Sequence, residues 1–262
     1  RATVFGMNPS ASLIVGLVGS VMGGLLPGFA AGLLGVGPQD TAAYRLALVT
    51  VIILGAAAML PVLGALPVTE EERLVGPDEA PARPLPMRRL LRFALASMLL
   101  GVGGGAILPF QNLFFRNVFG LGDAAVGMVL ALASLGMGVG ALLGAVVSRR
   151  VGLRIGASAL RLVAAFCALI MLSPALAPAI AGFFLRGLFV ASSFPMNDAL
   201  VMQLTPPRQR GMAASLMSVL WAGAALLGGF VQIRWGFAPL IVTVAVSYTL
   251  SALAIFTLPE SE

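Results

Sequence analysis

The sequence has no histidine, no lysine and a single cysteine in 262 residues, and only 10% of its residues are charged. Each shortage closes off a class of function. Without His, and with Cys167 alone in an apolar run, the usual zinc ligands, imidazole bases and cysteine nucleophiles are missing. No pair of acids sits within an apolar run, so the chain reads as a non-enzyme, and nothing in it implies a cofactor or a metal. Cys167 cannot form a disulfide within one chain and reads as a small hydrophobe facing lipid or core. No Gly-Lys-Ser/Thr element is present, which argues against ATP hydrolysis. The net charge of +6 is carried by arginines scattered singly through short loops, a topology signal rather than a nucleic-acid patch.

Apolar residues are in excess. They make up 59% of the chain, and mean hydropathy is +1.02. More than half of the exposed surface of a soluble globule is already apolar, so one of this size cannot hide so much more. The chain is therefore expected to be an all-α polytopic membrane protein, with the lipid bilayer as its first partner. Membrane spans need about 20 predominantly apolar residues. Eight can be cut, at about 8–35, 43–67, 89–115, 123–147, 154–174, 177–203, 211–233 and 237–258. The spans are too long for barrel strands, and no alternation is present. Pro174 and Pro178 mark a tight turn where no charge separates two spans.

An even count puts both ends on one side. Eleven arginines fall on that side, three (Arg45, Arg116, Arg234) on the other, and Arg161 and Arg186 inside spans. The positive-inside rule then places both ends and the 68–88 segment in the cytoplasm of a cell membrane. That segment, with five acids and four prolines, reads as an extended linker. It divides the chain into 1–67, two spans, and 89–262, six spans.

An internal repeat would explain the uneven split; the alternative is a chance recurrence of Gly, Met and Ser, which are common in membrane helices. Offset by 205 residues, Gly6-Met7 aligns with Gly211-Met212, Ser10 with Ser215 and Gly23-Gly24 with Gly228-Gly229. The alignment makes span 1 equivalent to span 7 and span 2 to span 8. The six spans of 89–262 then form one complete unit, and 1–67 the last two spans of another, with four further spans expected before Arg1. Two parallel six-span units are a transporter architecture.

This organisation resembles the major facilitator superfamily, whose twelve helices form two six-helix halves joined by a long cytoplasmic loop. The resemblance covers essentially the whole chain, as helices five to twelve of that fold. The segment Gly144-Ala-Val-Val-Ser148-Arg149-Arg150-Val-Gly152-Leu-Arg154 is similar to the family's cytoplasmic turn Gly-x-x-x-Asp-Arg/Lys-x-Gly-Arg-Arg. Here Ser148 stands where the acid would be, and one extra residue precedes Gly152. Pro206-Pro207-Arg208-Gln209-Arg210-Gly211 and Arg1–Asn8 resemble the basic turn after a half's fourth helix. The resemblance implies a secondary transporter that moves a small molecule by alternating access, of an efflux type or coupled to a proton or another ion, and monomeric when whole. A non-transporting scaffold or receptor is the other class that composition allows.

Ionisable residues inside spans are costly and mark functional candidates. Arg186 lies near the midplane of span 6, facing a substrate cavity or else snorkelling or tied to carbonyls at a helix interface. Arg161 and Asp198 lie at similar depth on consecutive antiparallel spans. They are expected to pair, shared with Arg149 or Arg150, as a gating network or a static clamp. Gln111 and Asn112 follow Pro109 in span 3, and Asn197 follows Pro195 in span 6. These three either line the cavity or satisfy backbone groups that proline frees. Gly136, Gly140 and Gly144 in span 4, Gly24, Gly28 and Gly32 in span 1, and Gly101 and Gly105 in span 3 recur every four residues and predict close helix packing. Asp123 reads as the N-cap of span 4.

Overall fold

The computed structural model describes residues 2–37, 39–63, 87–204 and 210–257. These are α-helical with short turns: α1 (Ala2–Leu34), α2 (Thr41–Ala57), α3 (Leu60–Leu63), α4 (Met87–Ile107), α5 (Gln111–Phe119), α6 (Asp123–Val151), α7 (Leu153–Ile170), α8 (Leu176–Leu204), α9 (Arg210–Trp235) and α10 (Phe237–Phe256). The expected eight spans are present as helices, with two changes. The second breaks at Ala58-Met59, ahead of Pro61, so its apolar helix α2 is short. The third is jointed, with a 3-10 turn at Leu108–Phe110 between α4 and α5. Pro109 causes that joint, because it lacks the N–H that would continue the ladder. Six segments among the described residues are long and apolar enough to cross a membrane, α4 with α5 counted as one.

Most of the 68–88 segment lies outside the described residues; its last two residues already belong to α4, which starts at Met87. The turn at 171–175 is as tight as expected, with the Ser173 hydroxyl accepting from the Ala175 N–H at 3.3 Å. Gly120, Gly152 and Gly236 end or join helices at φ of 66°, 82° and 83°, a region costly for any residue with a Cβ.

Helices α4 to α10 form one packed unit. α8 lies between α6 and α7, and α10 contacts α4 and α7. The glycine periodicity of α6 produces the first contact. A Cβ on Gly136 would meet the Phe184 ring, one on Gly140 the Leu188 carbonyl oxygen, and one on Gly144 the Ser192 carbonyl oxygen. These three small residues let α6 lie against the backbone of α8. Gly103 of α4 makes room in the same way for the ring of Tyr248, and Gly101 and Gly105 are also buried. Cys167 is buried in α7.

Helices α1 and α2 stand to one side and meet this unit along α6. Of the α1 stripe, only Gly24 does what its spacing predicts; Gly28 and Gly32 face open space. The side chains of α1, α2 and the outward faces of α6 to α10 expose many Leu, Val, Ile and Phe, as a lipid-facing surface requires.

Candidate functional site

The seam between α1 and α6 is built from small residues. A Cβ on Gly24 would lie 2.7 Å from the Cα of Gly127, and one on Gly127 would lie 2.8 Å from the Cα of Gly24. One turn along, the Ser20 and Ser134 hydroxyls are 3.4 Å apart, each also bonded to the carbonyl four residues back in its own helix. Beyond them the Gly16 side of α1 touches Ser134.

At the end of this seam nearest the start of α6, three side chains from three helices meet. Arg116 of α5 donates to the Tyr44 hydroxyl of α2 at 3.1 Å and lies 3.2 Å from the Asp123 carboxylate of α6. The Tyr44 hydroxyl donates to the same carboxylate, and the Arg116 guanidinium sits 5.8 Å from the Tyr44 ring centre. The cluster is partly exposed, at 39% for the Arg116 side chain and 27% for Asp123, so its attraction is moderated by solvent. Asp123 is thus not the N-cap expected of it. Gly122 occupies that position without a side-chain bond, and Asp123 is the first helical residue. None of the three was a candidate in the sequence, because Tyr44 carries no charge and Arg116 and Asp123 sit at span ends, where charge is ordinary.

Next to the cluster, a crevice of about 440 Å³ runs between α1, α2, α5 and α6. Its polar end is formed by Asn112, Arg116, Asp123 and Tyr44, and its body by residues such as Pro27, Val51 and Leu130. Asn112 is exposed there, and its side-chain oxygen accepts from the Leu113 N–H at 2.8 Å. Gln111 is half-buried at the start of α5 and does not line this crevice.

The candidates within the six-helix unit are arranged differently from expectation. Arg161 and Asp198 do not pair. Arg161 is fully buried; it donates to the Ser251 hydroxyl at 2.8 Å and to the Asn197 side-chain oxygen at 2.7 Å. Asn197 and Asp198 differ by about 100° around α8, so only Asn197 can face α7. Asp198 is exposed, with the Asn197 side chain as its hydrogen-bonding neighbour. Ser251 passes the connection on, donating to the Ala96 carbonyl oxygen at 2.6 Å. Arg161 therefore ties α7 to α8, α10 and, through Ser251, α4. Arg149 and Arg150 do not share this network; they are exposed on the last turn of α6, where cations favour the helix dipole.

Arg186 is corrected as well. It is only 2% exposed, donates to the Tyr248 hydroxyl at 3.0 Å and lies 5.3 Å from the centre of the Phe183 ring. It faces the interior of the unit and lines neither the crevice nor the neighbouring surface cavity. The periodicity of α8 explains this: positions 179, 183, 186, 190, 193 and 196 form its buried face. A midplane depth alone could not say which face Arg186 occupies.

Comparison with known proteins bears on this architecture. The family model described as the Major Facilitator Superfamily matches residues 1–229. Among solved structures, the chain is similar to a bacterial homologue of the human lysosomal transporter Spinster, determined in an inward-facing and occupied conformation. The two share 15% identity with a TM-score of 0.56, and the match covers 98% of this chain and 66% of that one. This chain thus spans just under two thirds of that protein's length. No curated protein matches the chain.

Proposed function

The chain belongs to the Major Facilitator Superfamily, and we propose that the protein of which it forms part is a secondary transporter that moves a small molecule by alternating access. In this reading residues 1–67 are the last two helices of one half, 68–88 the cytoplasmic connection and 89–262 the other half. The arginine-rich helix ends and connections lie on the cytoplasmic side of a cell membrane, so the Tyr44–Arg116–Asp123 cluster faces outward. The whole protein acts as a monomer, as an efflux-type or ion-coupled permease.

One observation carries the reading. The α1–α6 seam is made of small residues and ends in a polar cluster of few members, so it can part without tearing a large apolar core. A scaffold needs no such seam. Parting the cluster would cost the two hydrogen bonds of the Tyr44 hydroxyl, since the Arg116–Asp123 pair stays within the six-helix unit, and such partly exposed contacts are worth about 0.5–1.5 kcal/mol each. That scale suits a two-state gate, since populations shift tenfold for each ~1.4 kcal/mol. Asn112, at the polar end of the crevice, is assigned to the substrate path, with Gln111 beside it on α5. Arg186, Arg161 and Asn197 are assigned to holding the six-helix half rigid, and Asp198 to the uncovered face of α8.

The test is a reversible lock. With Cys167 replaced by Ala, cysteines at Ser20 and Ser134 have their sulfurs placed where two hydroxyls now lie 3.4 Å apart. In the full-length protein reconstituted in vesicles, oxidation should stop transport and reduction should restore it. Unchanged transport with the disulfide formed would refute alternating access across this seam.

A further inference from the structure

The crevice between α1, α2, α5 and α6 carries its charged groups at one end only. That end lies at helix termini: Tyr44 is in the first turn of α2, Arg116 in the last turn of α5, and Asp123 opens α6. From there the crevice reaches Val51 on α2 and Leu130 on α6, each about 10 Å further along its helix at 1.5 Å per residue. Over that distance its walls include Leu26, Pro27, Leu48 and Val126. The Ser20 hydroxyl, also in the wall, is committed to the Gly16 carbonyl. In a bilayer the polar end would sit at the boundary and the body within the hydrocarbon, which is the polarity order of a membrane amphiphile.

Hydrogen-bonding capacity at the polar end is unevenly spent. Each Asp123 carboxylate oxygen already has a donor, Oδ1 from Arg116 and Oδ2 from Tyr44. Arg116 makes both of its cluster contacts through Nη1, so the donors on Nη2 and Nε take part in neither. Asn112 has its side-chain oxygen on the Leu113 N–H, which leaves its amide N–H groups to donate. Donors are therefore in surplus, and the complementary head is one that accepts and is negatively charged. The planar guanidinium fork matches a carboxylate. Asp123 limits the charge, because a dianion beside it would suffer twice the repulsion of a monoanion.

We propose that this crevice binds a single-chain carboxylate amphiphile. Its head is held by the guanidinium N–H groups that the cluster leaves unused and by the Asn112 amide, and its chain lies between α2 and α6. The volume of about 440 Å³ falls in the range of small-ligand sites, roughly 300–1,000 Å³. The proposal names the substrate class of the path described above and rests on that reading.

The experiment is photo-crosslinking of a diazirine-bearing dodecanoate to the full-length protein in phosphatidylcholine vesicles, with the labelled residues mapped by mass spectrometry. Label should concentrate on crevice residues of α2 and α6, and unlabelled dodecanoate should compete far better than dodecanol or dodecyltrimethylammonium. Arg116→Gln should lower crevice labelling several-fold. If that variant does not fold, Asn112→Ala and Val51→Trp, both at exposed positions, should each lower it, the first by loss of a donor and the second by filling the body. Equal competition by dodecanol would overturn the proposal, as would crevice labelling unaltered in all the variants that fold. Stronger competition by dodecyltrimethylammonium would overturn it in favour of a cation on Asp123. Competition by phosphatidylglycerol in the bilayer as strong as that by dodecanoate would overturn it in favour of a resident phospholipid. Crosslinking reads binding without transport, so the two readings fail separately. Specific crevice labelling would uphold the ligand even where the Ser20–Ser134 lock left transport unchanged, and its absence where the lock stopped transport would overturn the ligand alone.

Discussion

Gly24 and Gly127 meet backbone to backbone, with no side chain from either helix between them, and they fix how closely α1 can approach α6. The neighbouring Gly23 faces open space. This difference yields a matched pair of variants. Gly24→Ala places a methyl about 2.7 Å from the Gly127 Cα and should force the helices apart, at an overpacking cost of about 1–3 kcal/mol. Gly23→Ala should be nearly silent. Transport in vesicles should fall at least several-fold for the first and stay near normal for the second; equal effects would show that the seam is not the controlling contact.

The polar cluster gives a second expectation. Tyr44→Phe keeps the ring and removes the hydroxyl that links α2 to both Arg116 and Asp123. The loss should be about 1–2 kcal/mol, enough to shift a two-state population by roughly five- to thirtyfold. Distances between spin labels on the first turns of α2 and α6 should report a larger open fraction. Asp123→Asn should act in the same direction, and a distribution unchanged in both variants would remove the cluster from the gate.

For the interior, the partner of Arg161 decides the outcome. Asn197→Leu strips a hydrogen bond from a buried guanidinium and should lower stability by about 1.5–3 kcal/mol. Asp198→Asn, at an exposed position, should cost less than 1 kcal/mol. A double-mutant cycle should therefore find strong coupling between Arg161 and Asn197 and weak coupling between Arg161 and Asp198. The reverse order would restore a direct Arg161–Asp198 pair.

Orientation is tested by labelling. In a Cys167→Ala background, a cysteine replacing the exposed Arg150 should react with a membrane-impermeant maleimide only from the cytoplasmic side, and one replacing the exposed Asn117 only from outside. Opposite results at both positions would invert the topology.

The helical architecture was legible in the sequence because hydropathy and length decide it almost alone. Gly136, Gly140 and Gly144 could be read as a packing face from their spacing, and each meets α8 as that spacing implies. Pairings between helices were less legible. The depths of Arg161 and Asp198 match, but partner choice depends on helix rotation. One residue of rotation put Asn197, not Asp198, against the guanidinium. Arg186 was misplaced for the same reason: depth follows from counting residues, facing does not. The Tyr44–Arg116–Asp123 cluster joins residues up to 79 positions apart, and no local pattern announces it. The arrangement of α1 and α2 against α6 likewise came only from tertiary packing.

The joint at Pro109 makes α5 a short rod, and that rod is bolted down. Phe114 stacks edge-on against Phe115, Phe119 and Phe237, with ring centres 5.0, 5.7 and 5.5 Å away, and Phe115 meets Phe183 of α8 at 5.2 Å. Arg116 is thus a hook on a braced bracket, not the tip of a free arm. Under the proposed alternating access, the bracket would stay with the six-helix unit when the hook lets go, and the travelling part would be the one that bears Tyr44. Work done at the crevice would then be delivered to α1 and α2 as a pair, with the aromatic brace setting which side of the molecule swings.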